Sequence, residues 1–349
     1  CDVIVDDVFF PDTPFLSDGP LAQQISNAVD NGLVYVSASQ NLAQLHYQGE
    51  YYPSSDRASF YGDYYGYSHD FSRGNDTPYF QIGVAPGGTI SACVQWSDDF
   101  TDSHNDYDVQ LLNASDHNDE LSLSEAYQSG FLEPYEVVEW TNTTKQVVYA
   151  DLRIMPAADA ATRELELYVL PGGTAVYDTN KTITDSIPGQ GMAEGVITVG
   201  AISVEDADLD TIQDYSGRGP STIITDFAAQ SAEQRASLDG AGVDRVSTKI
   251  GELGYFSQPF PGTSAAAPHI AAVAGLILQA DPSLTPAQVR TALTETAVDL
   301  GTVGYDTDFG SGRFDALDAV YRVFTPDAPF MSEASDTGYS TSDQKTQDN

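Results

Sequence analysis

"PFPGTSAAAPHIAAVAGLIL" occupies residues 259–278, and its small-residue start followed by an apolar run predicts a tight turn that delivers one serine onto the first turn of a buried helix. Gly262 permits the turn. Ser264 then stands where its own N–H points at an oxygen that would gain negative charge, and the helix dipole favours such charge. That placement suits acyl transfer. Ala265, Ala266 and Ala267 let the helix approach a sheet closely, and the periodic run predicts a helix over about 264–279. Pro268 and His269 fall inside it, with His269 expected to face the packed interior.

Working outward, "VIVDDVF" reads as a buried strand, "GPLAQQISNAVDNG" as a helix with apolar residues at 21, 25, 28 and 29 that Gly32 can close, and "LVYVSAS" as a second strand. Strand, helix and strand with short links predict a parallel sheet and a right-handed crossover. Residues 47–80 are rich in Tyr, Gly, Asp and Ser without sustained period and read as a connector. Residues 81–182 carry short alternating segments, among them "GTISACVQW", "DYDVQLLNA", "PYEVVEWTN", "QVVYADLRI" and "ELELYVLPG", which predict an all-β unit. Parallel-sheet texture returns with "GVITVGAIS". A further helix over about 286–298 opens with "TPAQ", where Thr285 can cap and Gln288 can complete a capping box. Residues 325–349 have almost no apolar side chains and are expected to be disordered.

The stretch at residues 262–269 resembles the nucleophile signature of the subtilisin-like serine proteases, Gly-Thr-Ser-x-Ala-x-Pro-His, without departure. Three other segments resemble the same family in the same order. "LVYVSASQN" is similar to the strand that ends in the oxyanion asparagine, here Asn41, with Gln40 where the family has glycine. "YSGRGP" is similar to its Ser-x-x-Gly-Pro turn and "GSGRFDA" to its closing Gly-x-Gly-x-x-Asp-Ala segment, whereas "LDGAGVDRVST" departs from its Ala-Pro-Gly turn. The implied fold is α/β: a partial subtilisin-like parallel-sheet domain (residues 1–46 and 183–324) interrupted by an all-β sandwich or jelly roll at 81–182, itself similar to accessory domains of secreted bacterial peptidases.

The resemblance implies a secreted or cell-surface endopeptidase acting on protein or peptide substrates through Ser264, with Asn41 at the oxyanion. It places "DDVFF" at the strand that pairs with extended substrate, so Asp7, Val8 and Phe9 are candidate substrate-binding residues, local packing being the alternative. The family's aspartate and histidine motifs lie before the strand that "VIVDDVF" resembles. None of the five histidines sits in such a motif; His46 follows the oxyanion segment too closely, and His69, His104 and His117 read as loop histidines. A serine without its base is a weak nucleophile. Three readings stand open: a chain cut from a longer one that supplies both residues, a non-catalytic binding module on the same scaffold, and a split enzyme completed by a separate segment.

Asp98, Asp99, Asp102, Asp106 and Asp108 crowd one turn and the start of the next strand. Such a density of hard oxygen donors suits structural calcium, a solvated acidic loop being the alternative. Acids outnumber bases 52 to 14, so the surface repels nucleic acid and anionic lipid and neither is an expected partner. No apolar run of about eighteen residues predicts a membrane span. Cys1 and Cys93 define neither a disulfide framework nor a zinc site.

Overall fold

The computed structural model describes residues 1–60, 63–254 and 257–324; the tail expected to be disordered lies outside the described residues. The chain opens with β1 (Val3–Asp6), α1 (Pro20–Asp30) and β2 (Val34–Ala38). Pro20 fits the first helical position of α1, and Gly32, at φ +98°, takes the left-handed conformation just past its end.

Eleven strands follow before the parallel sheet resumes: β3 (His46–Glu50), β4 (Pro53–Phe60), β5 (Asp63–His69), β6 (Phe80–Val84), β7 (Thr89–Trp96), β8 (Tyr107–Asn113), β9 (Asp116–Ser124), β10 (Tyr135–Thr141), β11 (Val148–Pro156), β12 (Glu164–Val169) and β13 (Thr174–Val176). They form antiparallel sheets in the orders β10-β7-β12-β3 and β13-β6-β11-β8-β9, with the β4–β5 hairpin packed on β11. Side chains from both larger sheets, including Trp96, Tyr107, Phe80, Leu152 and Leu167, form one buried cluster.

Period two divides β12 between two environments. Leu165, Leu167 and Val169 enter that cluster, while Tyr168 points the other way and packs edge-on against Phe15, from the loop between β1 and α1, at 5.0 Å between ring centres. This second face ties the antiparallel sheets to the first segment of the chain.

The remaining elements are β14 (Ile197–Ser203), a hairpin of β15 (Ser221–Asp226) and β16 (Ser231–Arg235), β17 (Gly240–Asp244), α2 (Lys249–Glu252), α3 (Thr263–Ala280), α4 (Pro286–Glu295) and α5 (Ala316–Val323). The parallel sheet runs β1-β2-β14-β17, leaving β1 at an edge. Nine residues of α3 are buried, and Ala266, Ile270 and Ile277 share a core with Val36, Val199 and Ala201. Close approach explains the small residues, since a methyl added at Gly242 would lie 3.1 Å from the Ala266 carbonyl oxygen. By length and composition α3 could cross a membrane, but half of it is buried inside this fold. Thr285 and Gln288 close the expected capping box on α4.

Several features differ from the sequence reading, the first being β1, which was expected to be buried but exposes Ile4 and Val5 because it lies at the sheet edge. Residues 47–80 carry strands, and β3 pairs with β12 as a full member of the antiparallel sheet; Tyr and Gly masked its period. The β15–β16 hairpin was not expected, because the residues of β16 are mostly exposed and polar and give no apolar alternation. His69 lies on β5, fully buried, with the Tyr47 hydroxyl 2.7 Å from its Nε2. Burial lowers its pKa to about 3, against the opposing charge of Asp70.

Candidate active site

Ser264 is the second residue of α3 and is half-buried. Gly262, immediately before the helix, has φ +105°, a conformation that L side chains rarely adopt. The turn is held from both sides. The Gly262 N–H donates to Asp244 Oδ2 at 2.8 Å, and Phe260 exchanges backbone hydrogen bonds with Val246 at 2.8 and 3.2 Å. Asp244 is fully buried at the end of β17 and also accepts from the Tyr215 hydroxyl. This positioning role was missed in the sequence, where "GAGVD" offers only one signal, an aspartate closing an apolar strand.

Asn41 reaches the same turn from the end of β2. Its Oδ1 accepts the Thr263 N–H at 3.0 Å and the Thr263 hydroxyl at 3.2 Å. A methyl added at Gly262 would lie 3.1 Å from Asn41 Nδ2 and 3.4 Å from its Oδ1, so the carboxamide packs directly on the turn. Gln40, in the place of a glycine, keeps a left-handed φ of +68°. The Ser264 N–H, in the first turn of α3, lies outside the helix's own hydrogen-bond ladder. Asn41 is therefore clasped to the turn that carries Ser264.

Asp7 lies one residue past β1, near the Ser264 side chain. The residue as a whole is exposed, but its carboxyl is withdrawn beside the serine. Desolvation raises its pKa, the Ser264 hydroxyl pulls it down, and the neighbouring Asp6 charge adds to the rise. Val8 offers its carbonyl to Gln40 Nε2 at 3.4 Å and to Gln190. Phe9 is placed differently: it stacks on Phe15 at 5.8 Å and meets Tyr168 at 5.9 Å, within the contact between the first segment and β12.

The histidines are committed elsewhere. His46 is buried with Nδ1 2.9 Å from the Thr182 carbonyl, His104 stands 3.1 Å from Asp102, and His117 pairs with Asp151 at 2.8 Å. His269 does not face the helix interior as expected. It is exposed, its Nδ1 2.6 Å from the Ala265 carbonyl oxygen, because the residues around it that contact the sheet occupy the opposite face of α3.

The five clustered aspartates part company. Asp98 is buried and bound by Arg163 Nε at 2.5 Å, Asn105 Nδ2 at 2.8 Å and the Ser103 hydroxyl at 3.0 Å. Burial would raise its pKa, but these bonds outweigh it and the carboxyl lies below its ordinary value. Asp99 caps Thr101, Asp102 faces His104, Asp106 accepts the Gln128 N–H, and Asp108 is buried on β8. Among the described residues no group of three or more Asp, Glu, His or Cys is arranged to hold a metal ion. Asp98, the first of the five, already has its charge matched by the Arg163 guanidinium.

A family model described as the Peptidase_S8 subtilase family matches residues 133–312, just over half of the chain. The chain belongs to the subtilase family. It is 34% identical over 148 residues to the subtilisin of Bacillus pumilus, covering 40% of this chain and 51% of that protein. It is 39% identical over 88 residues to an extracellular serine protease of Serratia marcescens, covering 24% of this chain and 8% of the other. The chain thus spans about half the length of such curated relatives, or less. Among solved structures, the CspB protease of Clostridium perfringens shares the fold with a TM-score of 0.52 at 14% identity, covering 92% of this subtilase chain and 67% of that one.

Proposed function

We propose that this chain is the nucleophile-bearing part of a subtilisin-like serine endopeptidase that hydrolyses protein substrates through an acyl-enzyme on Ser264. The observation that carries the reading is the clasp between Asn41 and Thr263, which ties the asparagine to the residue before the serine at a helix N-terminus. Ser264 Oγ attacks the substrate carbonyl, and the new oxyanion is held by the Ser264 N–H and Asn41 Nδ2. The histidine supplied from outside these residues takes the Ser264 hydroxyl proton and gives it to the departing amine, and water, deprotonated by the same base, then releases the acyl group and restores the hydroxyl. Asp7 and Val8 border the substrate strand, where a carboxylate beside the nucleophile favours a basic substrate side chain.

The aspartate and histidine of the triad come, in this reading, from a segment outside these residues, joined upstream or supplied separately. Two exposed surfaces support it. β1 is a sheet edge whose Ile4 and Val5 are exposed, as is Val8 just beyond it, and α3 leaves Pro268, Ala272 and Leu276 uncovered on one face. A segment laid across both would bury them and reach Ser264. The antiparallel sheets between β2 and β14 are read as an inserted β-sandwich, and the span of the likeness to the Clostridium protein, wider than the parallel-sheet parts, supports this. The name of the Serratia relative supports secretion.

A non-catalytic module is the second reading, favoured by the absence of any described histidine partner for Ser264. Co-expression of the chain with the segment encoded directly upstream, followed by hydrolysis of unfolded casein, separates the two. Hydrolysis abolished by Ser264→Ala supports the protease. A complete assembly that folds and leaves casein intact supports the module.

A further inference from the structure

A cavity of about 1010 Å³ lies where the loop after β1, the loops joining β7 to β8 and β9 to β10, and the β15–β16 hairpin converge. That volume is at the upper end of the range for ligand sites. Its lining is mixed, with an apolar part built from Pro14, Leu21, Phe100, Ile223 and Phe227. Phe131 and Leu132 also line it, yet Phe131 is 90% exposed, which a structural role does not require.

The charge is one-sided. Asp12, Asp99 and Glu133 face the cavity, and Asp12 and Glu133 are exposed with no ion pair among the described residues. Arg235 is the single cation in the lining, and its charge is already matched by Asp18 at 2.8 Å and Glu233 at 3.0 Å. A small cation would answer the acids and leave the apolar walls wet. An apolar molecule would do the reverse.

We propose that this cavity is an exosite for an extended polypeptide segment in which a large apolar side chain sits beside lysine or arginine. The apolar side chain enters between Phe100, Phe131 and Ile223, and the cation meets Asp12 and Glu133. Asp7 and Asp12 are five residues apart, so the cavity rim is at most about 18 Å along the chain from Asp7, which lies near Ser264. One polypeptide can therefore occupy both places. The exosite binds whether or not Ser264 turns over, and its test is one of binding.

The 349-residue chain carrying Ser264→Ala is titrated, at about 0.15 M salt, into fluorescein-labelled heptapeptides that alternate Lys with Leu, Lys with Ser, or Glu with Leu, and anisotropy is read. Only the Lys–Leu peptide is expected to saturate. Phe131→Ser should weaken it by roughly tenfold, and Asp12→Asn with Glu133→Gln by roughly three- to tenfold. Asp208→Asn with Asp210→Asn, exposed acids outside the cavity, should leave it unchanged. Equal binding of the Lys–Ser peptide, no binding of any peptide, or indifference to Phe131→Ser would overturn the proposal.

Discussion

Asn41 and Thr263, 222 residues apart, are joined by a 3.0 Å hydrogen bond from the Thr263 N–H to the Asn41 side-chain oxygen. The bond engages the carboxamide oxygen and leaves the nitrogen as the donor end. In the assembled protease, Asn41→Leu should lower turnover on the order of 10² to 10³, a magnitude taken from subtilisin's own oxyanion asparagine, with the Michaelis constant little changed. Steady-state kinetics on a peptide amide reads both. A loss confined to the Michaelis constant would make Asn41 a substrate-binding residue instead.

Gly262→Ala tests the turn itself. At φ +105° an alanine is strained, and its methyl would press within 3.1 Å of Asn41 Nδ2. The expected cost is about 1–3 kcal/mol of stability, together with a fall in turnover as large as that of the Asn41 variant. Unchanged stability by urea unfolding would mean that the turn relaxes freely.

The fold's main elements could be read from the chain because their patterns are local. The turn and apolar run at 259–278 yielded α3 to within one residue at each end, and Thr285 with Gln288 marked the start of α4. What escaped depends on distant partners. Nothing near Asp98 announces that Arg163, 65 residues on, neutralises it, nor that Asp244 will hold the Gly262 N–H. His269 looked internal because its neighbours are apolar. Its exposure follows from which face of α3 the sheet takes.

Arg163 leads to a prediction about ions. With Asp98 already paired, calcium should raise the melting temperature no more than sodium chloride at matched ionic strength. Arg163→Met, by contrast, should destabilise the chain by about 3 kcal/mol, because it strands a buried carboxylate. A calcium-specific shift, lost in Asp106→Asn with Asp108→Asn, would restore the metal site.

Glu164 supplies a pH dependence. Burial pushes its pKa up from 4.5 to about 7; the Arg73 charge opposes the rise, and Glu166, Glu50 and Asp185 add to it. A carboxyl whose pKa is raised in the folded state contributes stability below its unfolded value and loses it as the pH climbs through the folded one. Glu164→Gln mimics the protonated form. It should match the parent near pH 4 and melt higher than the parent at pH 8. An equal difference at both pH values would assign the effect to packing.

The central claim is that Ser264 is a nucleophile awaiting its base. The most direct measurement is mass-spectrometric mapping of a fluorophosphonate adduct on the chain alone and on the chain joined to the segment proposed to supply the base. The expected result is a single adduct on Ser264 in the joined form, weak on the chain alone and absent in Ser264→Ala. An adduct on another serine, or labelling that survives Ser264→Ala, would contradict the account.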